Sequence, residues 1–155
     1  MATLSLAKAL KVKKRLIGRL SKVNTDISHN NSRLEGAKQI DVAALNELRK
    51  KLVQALIHLK VAIYHGNLDI QEKLFLLAEV KSDISFFSTL NTREGQENHS
   101  YQNTPVVYIA SITKENVDNL VKALEAQVDT LQEEIDQYNY TKKIEVNQVV
   151  LDLAS

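Results

Sequence analysis

Seven positions near the C-terminal end of the chain alternate four and three residues apart without a miss: Val117, Val121, Leu124, Val128, Leu131, Ile135 and Tyr138. Only an α-helix places such a series on one face, and a repeat of 3.5 residues is the seam of a coiled coil. Thr113 stands where an N-cap belongs, so the spacing predicts a helix from there to about Tyr140. A helix of that length is a rod of roughly 40 Å. Burying each seam residue yields roughly 1.5–3 kcal/mol, so the seam requires a partner. Val121, Val128 and Ile135, alternating with Leu124 and Leu131, favour two strands if the pairing is parallel.

The rest of the chain fits the same class. Among 155 residues there are 4 glycines, 1 proline and no cysteine. So few breakers point to long helices, and the lack of cysteine excludes disulfides, thiolate metal sites and a cysteine nucleophile. A first helix is expected from about Ser5 to Asn30, with a seam through Leu6, Leu10, Lys13, Ile17, Leu20, Asn24 and Ile27, widened by Leu16 and Val23. A second starts at the N-cap candidate Asp41 and carries Leu45, Leu48, Leu52, Leu56, Leu59 and Ile63. Gly66-Asn67 reads as a stop or kink. A third, about Leu68 to Leu90, is apolar nearly all round at Leu74-Phe75-Leu76-Leu77 and is expected to be the most buried element.

Residues 91–105 are polar and unpatterned, a loop, and residues 141–155 form a C-terminal tail. Val106-Val107-Tyr108-Ile109-Ala110 is β-branched and aromatic, a short strand. Its partner comes from the loop, from the segment Ile144–Leu153 or from another subunit. The expected fold is therefore mainly α: one domain, a long antiparallel helical hairpin or bundle with coiled-coil-like seams, and a small β element near residues 106–111. Several apolar stripes on rods with little interior predict a homo-oligomer. No apolar run reaches the roughly 20 residues of a membrane span, and a cytoplasmic setting is expected.

Charge is distributed unevenly. Residues 1–65 carry 13 Lys/Arg against 4 Asp/Glu, or +9, and residues 66–155 carry 7 against 15, or −8. Lys8, Lys11, Lys14, Arg15, Arg19 and Lys22 form a possible anion-binding face on the first helix. The acidic last helix, with Glu125, Asp129, Glu133, Glu134 and Asp136, is the natural neighbour of that face. An acidic half that covers the basic one argues against a nucleic-acid partner.

Little in the chain points to catalysis. His58 and His65 lie seven residues apart, about 10 Å along a helix, too far to ligate one metal, and read as surface histidines, as do His29 and His99. Glu94-x-x-Glu97 followed by Glu115-x-x-Asp118 resembles the magnesium signature of the all-α nucleoside-triphosphate pyrophosphohydrolases. That signature needs all four carboxylates on helices, whereas Glu94 and Glu97 sit beside Gly95 in the loop. No cofactor is expected, and the leading expectation is a non-enzymatic interaction protein that self-associates; the alternatives are a magnesium-dependent all-α nucleoside-triphosphate pyrophosphohydrolase and an adaptor that holds an acidic partner or nucleic acid through the basic first helix.

Three stretches together carry a family resemblance. They are Leu6-Ala7-Lys8-Ala9-Leu10, the run Val107-Tyr108-Ile109-Ala110-Ser111-Ile112 leading into Val117-Asp118-Asn119-Leu120, and Leu131-Gln132-Glu133-Glu134-Ile135-Asp136-Gln137-Tyr138-Asn139-Tyr140. In order and spacing the chain resembles the septicolysin-like family of small bacterial helical proteins. The chain departs from that pattern at Tyr140, where the family's closing motif has a tryptophan, and in the short linker at Gly66-Asn67. The resemblance implies a helical, oligomeric protein with no established activity and no catalytic residues to transfer.

Overall fold

Ser5 starts the first helix as its sequence position suggests: its hydroxyl accepts from the backbone N–H of Lys8 at 3.2 Å and its own backbone is extended. A computed structural model describes residues 1–98 and 105–155. Its elements in chain order are β1 (Ala2–Ser5), α1 (Leu6–Asn30), α2 (Val42–Asn67), a single 3-10 turn (Leu68–Ile70), α3 (Gln71–Ser88), β2 (Gly95–Glu97), β3 (Val106–Tyr108), α4 (Lys114–Thr141), β4 (Lys143–Val146) and α5 (Gln148–Asp152). The fold is mainly α with a small β component. Two compact units are present: residues 1–70 with 136–155, and residues 71–135.

In the first unit α1 and α2 run antiparallel. At one end Leu6 lies against Gly66; at the other Arg49 Nε donates to the side-chain oxygen of Asn24 at 2.8 Å. The interface is built from Leu6, Ala9, Val12, Leu16 and Val23 of α1 and Leu52, Ala55, Leu59, Ile63 and Gly66 of α2. Alanine and glycine at these positions let the two backbones approach closely. β1 and β4 form an antiparallel ribbon in the register Ala2↔Val146, Thr3↔Glu145, Leu4↔Ile144 and Ser5↔Lys143. Period-two alternation turns Leu4, Ile144 and Val146 into the same core. Val150 of α5 completes it.

The predicted seam of α1 is rotated in the fold. Leu6 is buried and Leu10, Leu20 and Ile27 are half-buried against the core, but Ile17 is 45% exposed. Ala9, Val12 and Leu16 take the inward positions instead. A strict heptad assumes one straight partner, whereas α1 is covered by α2, by the ribbon and by α5, and the small Ala9 draws α2 toward itself. Asn24, read as a seam interruption, is exposed.

In the second unit Lys73 of α3 pairs with Glu134 of α4 at 2.6 Å. Leu74, Leu77, Val80, Ile84 and Phe87 on α3 are buried or half-buried, as are Val117, Val121, Leu124, Val128, Leu131 and Ile135 on α4. Tyr138, the last seam position, belongs to the first unit. α3 is not the most buried element: Phe75 is 64% and Phe86 59% exposed. One neighbouring helix covers one face, and the remaining apolar residues of α3 stay outside.

The short strand Val106–Tyr108 takes its partner from the loop, pairing antiparallel with Gly95–Glu97. Residues 109–111, expected in the strand, lie beyond it. The C-terminal segment pairs with β1. Among the described residues no helix is long and apolar enough to cross a membrane.

Candidate functional site

Each α-helical turn exposes what the core does not use, and on α2 the unused residues are regular. Ile57, Val61, Tyr64 and the following Leu68 recur four, three and four residues apart and are 53%, 49%, 59% and 51% exposed. This spacing puts them on one face, with Leu59 and Ile63 turned to the core on the other. The outer stripe has the seam period, and among the described residues no helix covers it. An exposed apolar stripe of this kind marks an interaction surface.

On α1 the outward residues are cationic. Lys8, Lys11, Lys14, Arg15 and Lys22 are exposed, and none of the ion pairs among the described residues involves them. Arg19 stands apart: Nη1 donates to the carbonyl of Leu153 at 2.9 Å and to that of Ser155 at 3.4 Å. It satisfies carbonyls at the end of α5 and serves the fold rather than an anion. The acidic helix was expected beside α1; the neighbour in the fold is α2, which carries four Lys/Arg and one acid. Opposite charges are instead segregated. The unit of residues 1–70 and 136–155 holds 15 Lys/Arg and 8 acids, or +7; residues 71–135 hold 5 and 11, or −6.

The four carboxylates of the pyrophosphohydrolase-like pattern are not brought together as ligands. Glu97 pairs with Arg93 at 3.2 Å and Asp118 with Lys114 one turn away, while Glu94 and Glu115 are exposed. Among the described residues no group of three or more His, Asp or Glu is arranged to hold a cation. Glu97 lies on β2, not on a helix, so the signature lacks its first supporting element. His29, His58 and His65 are exposed; His99 lies outside the described residues.

A polar node that sequence reasoning missed closes the end of the first unit. The Tyr138 hydroxyl donates to the Gly66 carbonyl at 2.7 Å, with the Asp69 carboxylate a second acceptor at 3.2 Å. The Lys142 ammonium donates to the same carboxylate at 2.6 Å. No local motif announces a contact between residues about seventy apart. Hydrogen bonding from Lys142, then its charge, then the Tyr138 hydroxyl hold Asp69 below its ordinary value of 3.8. Chiefly through the bond to Asp69, Lys142 is raised above 10.5.

A depressed folded-state carboxylate stabilises above the unfolded-state value and loses that effect as pH falls. The raised lysine contributes fully below 10.5 and loses its contribution as pH rises past it. The stability difference between the native chain and Asp69→Asn should therefore be constant near neutrality and shrink below pH 3.8, as read from urea midpoints across the acid range. A difference that persists undiminished in acid would show that the pairing does not form.

A shallow groove of about 310 Å³ lies between α2 and α5, lined by Lys51, Gln54, His58, Asn147, Val149 and Leu153 among others. A second, of about 340 Å³, runs beside α1 and is lined by Ser5, Ala7, Lys8, Lys11, Arg15 and Tyr140, with the buried Val12 at its floor. The chain matches no family model, no curated protein and no solved structure at a significant level.

Proposed function

We infer that the protein is a non-enzymatic interaction component that self-associates through the outer face of α2. The observation that carries this reading is the stripe Ile57, Val61, Tyr64 and Leu68, half in water yet spaced as a helix seam. Two copies can lay the same stripe against itself about a two-fold axis, since an antiparallel pair of identical seams is self-complementary. Tyr64 is the natural anchor, because an aromatic side chain offers roughly 150–250 Å² to an interface at low entropic cost. Four half-exposed residues from each copy offer less than the roughly 1,200–2,000 Å² of a stable interface, so the association is weak and reversible.

Size-exclusion chromatography with light scattering is expected to give at least twice 17.5 kDa. Tyr64→Glu and Val61→Glu, both at exposed positions, should return a folded 17.5 kDa species. A native chain that stays at 17.5 kDa at the highest concentration reached would sink the reading.

A further inference from the structure

We propose that the outer face of α1, together with Tyr140, binds single-stranded nucleic acid, the cations holding successive phosphates and the tyrosine ring stacking on a base. This does not depend on self-association. Lys8, Lys11, Lys14, Arg15 and Lys22 extend over fourteen residues, roughly 21 Å of helix axis. They recur near one per turn over the first two turns, a rise of about 5.4 Å, comparable to the separation of phosphates along an extended strand. Their field is not cancelled locally, because α1 lies on α2, itself basic with four Lys/Arg and one acid, in a unit of charge +7, from 15 Lys/Arg and 8 acids. Acidic residues do not cover this face: its cations are exposed and take part in none of the ion pairs among the described residues.

Tyr140 makes the patch more than a basic surface. It is 67% exposed and shares a groove of about 340 Å³ with Lys8, Lys11 and Arg15. An aromatic ring between cations is the arrangement that takes unstacked bases without regard to sequence. A paired duplex keeps its bases stacked and out of reach of such a ring, so the site fits a single strand. A membrane surface fits poorly: lipid binding requires an apolar face turned outward, and that of α1 is in the core, with Ile17 its only large apolar residue left exposed. An acidic helix would leave the tyrosine ring without a complementary flat partner.

The test is fluorescence anisotropy of a short labelled oligothymidylate against the full chain. Binding is expected at 50 mM salt and should weaken roughly 50-fold by 200 mM, given about four phosphate contacts to a single strand. Lys11→Glu with Arg15→Glu should weaken it at least about 10-fold, while the same charge change at Lys81 and Lys122, exposed residues of the acidic unit, should have little effect. Tyr140→Ala should cost about 10-fold and Tyr140→Phe almost nothing, because stacking needs the ring and not the hydroxyl. All these side chains are exposed, and circular dichroism checks that each variant is folded. No binding at 50 mM overturns the proposal. So does equal binding of the duplex with no effect of Tyr140→Ala, which is adsorption of any polyanion, or equal competition by polyglutamate, which assigns the face to an acidic protein.

Discussion

Replacing Leu59 by alanine should lower the unfolding free energy by about 3 kcal/mol. Leu59 is fully buried on α2, within the cluster formed by α1, α2, the ribbon and α5. The substitution removes the transfer free energy of the lost carbons and leaves a cavity that rigid neighbours fill only in part. Val12 and Leu16 belong to the same cluster on the adjacent α1, whose backbone is already held close by Ala9, so little inward relaxation is available. The matched control is Phe75→Ala on α3. Its ring is 64% exposed, and its removal should change stability by no more than about 0.5 kcal/mol. Chemical denaturation followed by circular dichroism measures both. If Phe75→Ala costs as much as Leu59→Ala, the burial assigned to the two units is wrong.

Gly66→Val should be destabilising by about 3 kcal/mol, for the opposite reason. A Cβ at position 66 would stand 2.7 Å from Cγ2 of Ile144 and 2.9 Å from Cδ2 of Leu6. Cγ2 belongs to a β-branched side chain on a paired strand and cannot swing aside, and Leu6 is fully buried. The Gly66 carbonyl also receives the Tyr138 hydroxyl, so a displaced backbone loosens that bond as well. Gly18 separates crowding from helix propensity. Nothing lies within 4 Å of a Cβ there, so Gly18→Ala should stabilise by up to about 1 kcal/mol through propensity alone. Gly66→Ala should destabilise although it gains the same propensity. Stabilisation by both would show that Gly66 is not a close-packing point.

Gly66 also illustrates how far a sequence can be read. With Asn67 it resembles a helix stop, yet the chain stays helical through Asn67, takes one 3-10 turn and continues as α3. The glycine is needed where β4 and α1 crowd α2 from the side, and no residue near it in sequence reports that. The caps were legible because they are local: Asp41 accepts from the Ala44 N–H at 2.9 Å and Thr113 from that of Asn116 at 3.2 Å. The ribbon was not. Ala2–Ser5 and Lys143–Val146 each alternate for only four residues, too short to stand out, and each is a strand only because the other end of the chain lies beside it.

The candidate surfaces divide in the same way. The cations of α1 were visible as a cluster, but their exposure was not, because it depends on which face of α1 packs on α2. Ile57, Val61 and Tyr64 lay in plain sight beside the core stripe of α2, and only packing separates an inward Leu59 from an outward Ile57.

Periodicity, caps and composition by themselves determined that this chain is built of long amphipathic helices, where most of them begin, and that one end is basic and the other acidic. These are properties of a few consecutive residues and of hydrogen bonds within a turn. The tertiary structure alone decided which face of each helix is covered, because burial is a competition among distant elements for the same apolar area. From that competition came the core closed between α1 and α2, the stripe left open on α2 and the uncovered cations of α1.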